Sequence, residues 1–158
     1  MPATRAGGTV TWTEQPSMSI GPGTPMRKVI PPRLVGPYLN GLRSILAGFV
    51  YREREVTFRD PAECFSALGL GYEGSEFTAE TPEVYFLCWM AREMDTYVPA
   101  SEPAGPGRGS LGVRVIPEFY TDPMPVPVGA SICRLTARGE DLIARYDGLA
   151  WRRPAREA

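Results

Sequence analysis

Apolar positions along the chain recur with a helical period most clearly after Pro37. Tyr38, Leu39, Leu42, Ile45, Leu46, Phe49 and Val50 fall at the i, i+3, i+4, i+7 spacing of one helix face, which predicts a first helix, with Gly41 and Gly48 close to that face. From Tyr51 to Phe58 charged and apolar residues alternate, as expected of a short strand at a sheet edge. Asp60, Pro61 and Glu63 then form a helix-start signature, and Gly69 and Gly71 close a short second helix ending at Leu68. Thr81, Pro82 and Glu83 repeat the start signal. The run Val84 to Met94 that follows is apolar on nearly every side, so a third helix is expected there, buried in the domain or in an interface.

Further along, Leu111, Val113 and Val115 alternate as a strand that Pro117 bends, Met124 to Val128 alternates with proline and should be extended, and Ser131 to Leu135 reads as a last strand. Thr136 is placed to cap a C-terminal helix through Leu142, Ile143 and Tyr146, with Gly148 as its stop. Residues 1–36, rich in proline and glycine, read as an extended arm whose one strand-like fragment is Thr9 to Trp12. Residues 37–151 are expected as one globular domain with a mobile loop at 99–110, and residues 152–158 as a frayed tail.

The order helix, strand, helix, helix, strand, loop, strand, helix resembles a winged helix. The segment Leu135, Thr136, Ala137, Arg138, Gly139, Glu140, Asp141, Leu142 is similar to the Leu-Thr-x-x-Gly-x-x-Leu junction where a last wing strand enters a helix. The resemblance implies an α+β domain with three core helices, a small antiparallel sheet and a C-terminal helix. It also implies a DNA-binding regulator as one function, with Arg52, Arg54, Arg108 and Arg114 as the residues that could reach phosphate. The third helix departs from that pattern, because Glu83, Glu93 and Asp95 face a lone Arg92 there and the rest is aromatic or aliphatic.

Composition narrows the chemistry. With no histidine among 158 residues, Ser-His-Asp and Cys-His catalysis are excluded, and three scattered cysteines cannot make a zinc site. No cofactor or metal is expected. Cys64, Cys88 and Cys133 read as small buried hydrophobes in a reducing compartment, and the chain as cytoplasmic and without a membrane span. The 17 basic and 18 acidic side chains nearly cancel, so a polyanion would need a local patch. Gly69, Gly71 and Gly74 have dinucleotide-loop spacing but follow a helix, which marks a loop. Two forms of enzyme stay open. One is a carboxylate pair from Glu73, Glu76, Glu80 and Glu83, and the other a shaped pocket with Tyr85, Trp89 and Tyr120. The leading expectation is a non-enzymatic protein-interaction module, an assembly subunit, adaptor or inhibitor that meets a protein partner or itself through Trp12, Tyr85, Trp89 and Met90.

Overall fold

The structure is a computed structural model describing residues 18–100 and 116–155. Among them the apolar run that reads as a third helix is a strand. Eight strands form: β1 (Pro25–Ile30), β2 (Ile45–Arg52), β3 (Val84–Met90), β4 (Val98–Pro99), β5 (Phe119–Pro125), β6 (Ser131–Thr136), β7 (Gly139–Tyr146) and β8 (Trp151–Arg152). All pair antiparallel, in the order β4-β5-β2-β1-β3-β6-β7-β8. Two α-helices accompany them, α1 (Pro32–Leu39) and α2 (Pro61–Leu68).

The winged-helix expectation is therefore overturned. A mostly-β sheet with two short helices replaces three core helices and a C-terminal helix. The segment expected as helix one breaks after Leu39, where Asn40 ends α1 and Gly41 turns at φ +84°, and continues as β2. The Leu-Thr-x-x-Gly junction is a β-hairpin. Thr136 pairs with Gly139, Thr136 Oγ1 accepts from the Arg138 N–H at 3.2 Å, and Gly139 takes φ +118°, so β6 folds straight back as β7. Residues 25–36, within the segment read as an arm, supply β1 and the start of α1, while residues 1–17 and the strand expected at 111–115 lie outside the described residues. Of the loop expected at 99–110, Pro99 belongs to β4 and residues 101–110 also lie outside.

Helix α2 forms where its local signals place it. The Asp60 carboxylate accepts from the Glu63 N–H at 2.9 Å, Pro61 fills the first turn, and Gly69 ends the helix in the left-handed conformation.

The middle of the sheet is covered on both faces, which is why β3 carries no charged residue. Val84, Phe86 and Cys88 point into one core with Val56, Phe58, Phe77 and Leu135, covered by Cys64 and Leu68 of α2. Leu87 and Trp89 point into a second core with Met26, Ile30, Leu46, Val50, Phe119 and Ile132, covered by Tyr38 of α1. Both ends of the sheet are short strands of two residues, and β5 near one end carries Pro123 and Pro125.

Strands β1 and β2 are paired at only two rungs, Met26 with Arg52 and Arg27 with Tyr51, and then part. Two buried arginines sit at those rungs. Arg52, fully buried, places Nε and Nη2 each 2.7 Å from the Glu55 carboxylate, donates to Ser19 O at 3.0 Å, and lies 5.3 Å from the Phe119 ring centre. Arg27 grips Glu140 through two bonds of 2.9 and 2.7 Å and stacks 4.6 Å over Phe86. Each guanidinium is thus matched by a bidentate carboxylate.

Candidate functional site

Beyond the two paired rungs, β2 is tied by side chains to α1 and to β1. The Tyr38 hydroxyl donates to Ile45 O at 2.7 Å, and Lys28 Nζ donates to Phe49 O at 3.3 Å. A bulge between Leu46 and Gly48 shifts β2 at this point, and Gly48 sits at φ +96° with Lys28 Nζ 3.5 Å from where a β-carbon would stand. Lys28 is the only lysine of the sequence. Burial and the nearby charge of Arg43 together lower its pKa to about 8, against a smaller opposing pull from Glu118. Glu118 itself is held 2.6 Å from the Tyr51 hydroxyl, and burial raises its pKa.

Arg43 links this split to a cavity. Its Nε donates to the Tyr38 hydroxyl at 3.2 Å with the guanidinium 5.6 Å from the Tyr38 ring centre, and among the described residues it pairs with no carboxylate. The cavity, about 140 Å³, is bounded by Leu39, Val126, Tyr146 and Trp151 on its apolar sides and by Asn40, Arg43 and Ser44 on its polar side.

The wall made by β7 and β8 is held rigidly. Tyr146 and Trp151 face each other across the hairpin, ring centres 5.2 Å apart, and the turn between them is fixed by Asp147. One Asp147 oxygen accepts from the N–H groups of Leu149 and Ala150, both at 2.8 Å, and the other from Arg152 Nε at 2.8 Å. These bonds, that from Arg152 foremost, hold the Asp147 carboxyl well below the usual carboxylate range. Gly148 turns at φ +100° against Val128, whose Cγ2 would lie 3.1 Å from any β-carbon there. The result is a stiff turn that presents Leu149 to solvent, 90% exposed, beside Val128 at 72%, with Leu42 at 82% in the loop that also carries Gly41 and Arg43. Arg152, expected in a frayed tail, lies in β8 and holds this turn through Asp147.

The residues expected as contacts from sequence lie elsewhere. Trp89 is 4% exposed and donates its indole N–H to Tyr97, Tyr85 is half-buried against Glu83, and only Met90, at the strand end, is open to solvent. Trp12, Arg108 and Arg114 lie outside the described residues. Arg52 is in the core and unavailable to phosphate, whereas Arg54 is exposed. The acidic residues do not form one site, since Glu76 pairs with Arg33 and Glu83 accepts from Tyr85. Tyr120 packs edge-on against Phe49 at 5.8 Å, apart from the settings of Tyr85 and Trp89.

Compared with protein families, curated proteins and solved structures, the chain matches none. The site therefore has to be read from its own chemistry. It holds no group of three or more potential metal ligands among the described residues, and no helix there is long and apolar enough to cross a membrane. Its surface signal was hidden in the sequence. Leu42 reads as a position on the apolar face of a helix, and nothing in the sequence assigns Leu149 a role. The one available clue was the Asp147-Gly148 dipeptide between Tyr146 and Trp151, a hairpin signal.

Proposed function

We propose that the chain is a non-enzymatic protein-interaction module whose contact surface is the Arg43 and Trp151 cavity with its rim, and not the apolar segment 84–94. The observation that carries this reading is the exposure of three large aliphatic side chains, Leu42, Val128 and Leu149, near a cavity whose arginine has no acidic partner among the described residues. Contact hot spots combine an apolar anchor pocket with a polar group at its margin, and exposed aliphatic residues grouped together signal recognition where single ones do not. The occupant that fits is a protein segment presenting one large apolar side chain next to a carboxylate. The apolar chain enters between Leu39, Val126 and Trp151, and the carboxylate meets Arg43.

Titration of the isotope-labelled protein with capped peptides carrying Leu beside Asp, followed by NMR, tests this. Saturable shifts at the Trp151 indole and Leu149 are expected, weakened about tenfold or more when the peptide Asp becomes Asn or Arg43→Gln is introduced, as for a lost charge-assisted hydrogen bond. Shifts that never saturate, or that ignore both changes, overturn the reading. Concentration-dependent shifts without peptide would make a second copy the occupant instead.

A further inference from the structure

The size of the Arg43 and Trp151 cavity limits how its apolar and polar walls can be met together. At about 140 Å³ it has room for one benzene-sized group, and so for a single large side chain. Its apolar walls, Leu39, Val126 and Trp151, and its polar wall, Asn40, Arg43 and Ser44, close on that same small space. In an extended segment neighbouring side chains leave on opposite faces, so a leucine and the aspartate next to it do not both enter. A residue at the end of a chain carries its carboxylate on its own α-carbon and delivers both groups from one side.

The polar wall is made of donors. Asn40 Oδ1 accepts from the Leu42 N–H at 3.1 Å, which leaves its NH2 group as a donor. Arg43 spends Nε on the Tyr38 hydroxyl at 3.2 Å, and its two terminal nitrogens, like the Ser44 N–H and hydroxyl, meet no acceptor among the described residues. No acidic residue lines the cavity, and the carboxylate of the adjoining turn, Asp147, is taken up by Leu149, Ala150 and Arg152. Scattered donors at a surface are simply hydrated, whereas these share one wall of an apolar cavity. A guanidinium beside a backbone N–H is the chemistry that holds a terminal carboxylate.

We infer that the cavity reads the end of a protein chain, a C-terminal residue whose large aliphatic side chain sits between Leu39, Val126 and Trp151 and whose free α-carboxylate lies on Arg43 and the Ser44 N–H. Resting on the interaction surface proposed above, such a site selects free termini over internal segments. NMR titration of the intact isotope-labelled protein compares acetyl-Gly-Ser-Gly-Leu as the free acid, the same peptide amidated, and a capped peptide with Leu beside Asp. The free acid is expected to bind about tenfold or more tighter than either of the others, with saturable shifts at the Trp151 indole and the Ser44 amide. Arg43→Gln is expected to bring free acid and amide to near parity while its spectrum stays dispersed like that of the parent. A free acid that binds no tighter than its amide overturns the terminal site, and saturable binding of the capped peptide would then leave the interaction surface standing. A preference for the free acid that persists in Arg43→Gln also overturns it, since the carboxylate would lie elsewhere. If none of the three peptides saturates, the surface falls and the terminal site with it.

Discussion

The paired and the parted stretches of β1 and β2 treat cations in opposite ways. At the two paired rungs, Arg27 and Arg52 are taken almost wholly out of water and each is met by two carboxylate oxygens at 2.9 Å or less. A few residues on, Lys28 and Arg43 lie near one another with a carbonyl and a phenol as their partners. Burying a charge costs several kcal/mol unless its partner shares the same dry space, so the first arrangement can only be structural. The second leaves positive charge unspent beside a cavity and an exposed apolar rim. The lesson is that the number of arginines says little about anion binding here, and the geometry of their partners says nearly everything.

The contrast is sharpest at Glu55. Glu55→Leu strands a fully buried Arg52, and should destabilise the fold by about 3–5 kcal/mol in chemical denaturation. A loss under about 1 kcal/mol would mean that Ser19 O and the Phe119 ring are enough for Arg52, and the contrast would fail. Glu140→Gln removes the charge that Arg27 meets, but Glu140 is partly solvated and Arg27 keeps Val56 O and Phe86, so about 1–3 kcal/mol is expected from the same measurement.

Across the split the sign reverses. Because burial and Arg43 lower the Lys28 pKa to about 8 in the folded protein from the ordinary lysine value of 10.5, folding disfavours its ammonium, and Lys28→Met should stabilise the protein by about 1 kcal/mol at pH 7. Below about pH 8 both folded and unfolded Lys28 are charged and the wild type bears the full cost. Between about pH 8 and 10.5 the unfolded chain holds a proton that the folded one has lost, so wild-type stability gains with pH and the advantage of the variant shrinks. Melting curves of the two proteins across that range check the sign, and an advantage that grows with pH would refute it. Smallest of all, Leu149→Ser and Leu42→Ser should change stability by no more than about 0.5 kcal/mol, since those side chains bury almost nothing, while abolishing the peptide-dependent shifts.

Legibility followed the range of the signal. Helix α2 was readable because Asp60, Pro61, Glu63 and Gly69 act within a few residues of one another. The segment 45–52 was misread because β2 has apolar residues on both faces. Leu46 and Val50 go inward while Ile45 and Phe49 are exposed, and the inward positions between and after them are occupied by Gly48 and Arg52. Mixing the two faces yields a false helical period. In β3 the same ambiguity has a different cause, since a strand in the middle of a sheet with two covered faces is apolar throughout and has no alternation to show. Its brevity and its Val, Tyr, Phe and Trp content were the available cues. Thr136 was read as the cap of a C-terminal helix that does not form, because a hairpin uses a threonine bond to nearby backbone as readily as a helix does. Of the candidate site, the lack of histidine was legible, while the placing of Arg43 and Leu149 on one cavity depends on strand order and could not be read from spacing.

The tapering ends of the sheet bear on how the protein behaves in crowded solution. Identical chains grow into fibrils by adding backbone to a long bare strand, and here the terminal strands are two residues each, β5 is interrupted by Pro123 and Pro125, and the open stretch of β7 carries Glu140 and Asp141. The segment best suited to stacking, the uncharged and proline-free Val84–Met90, is locked in the middle with a neighbour on either side. The fibre-forming hazard of this chain is thus stored at its centre, and is released by unfolding and not by concentration.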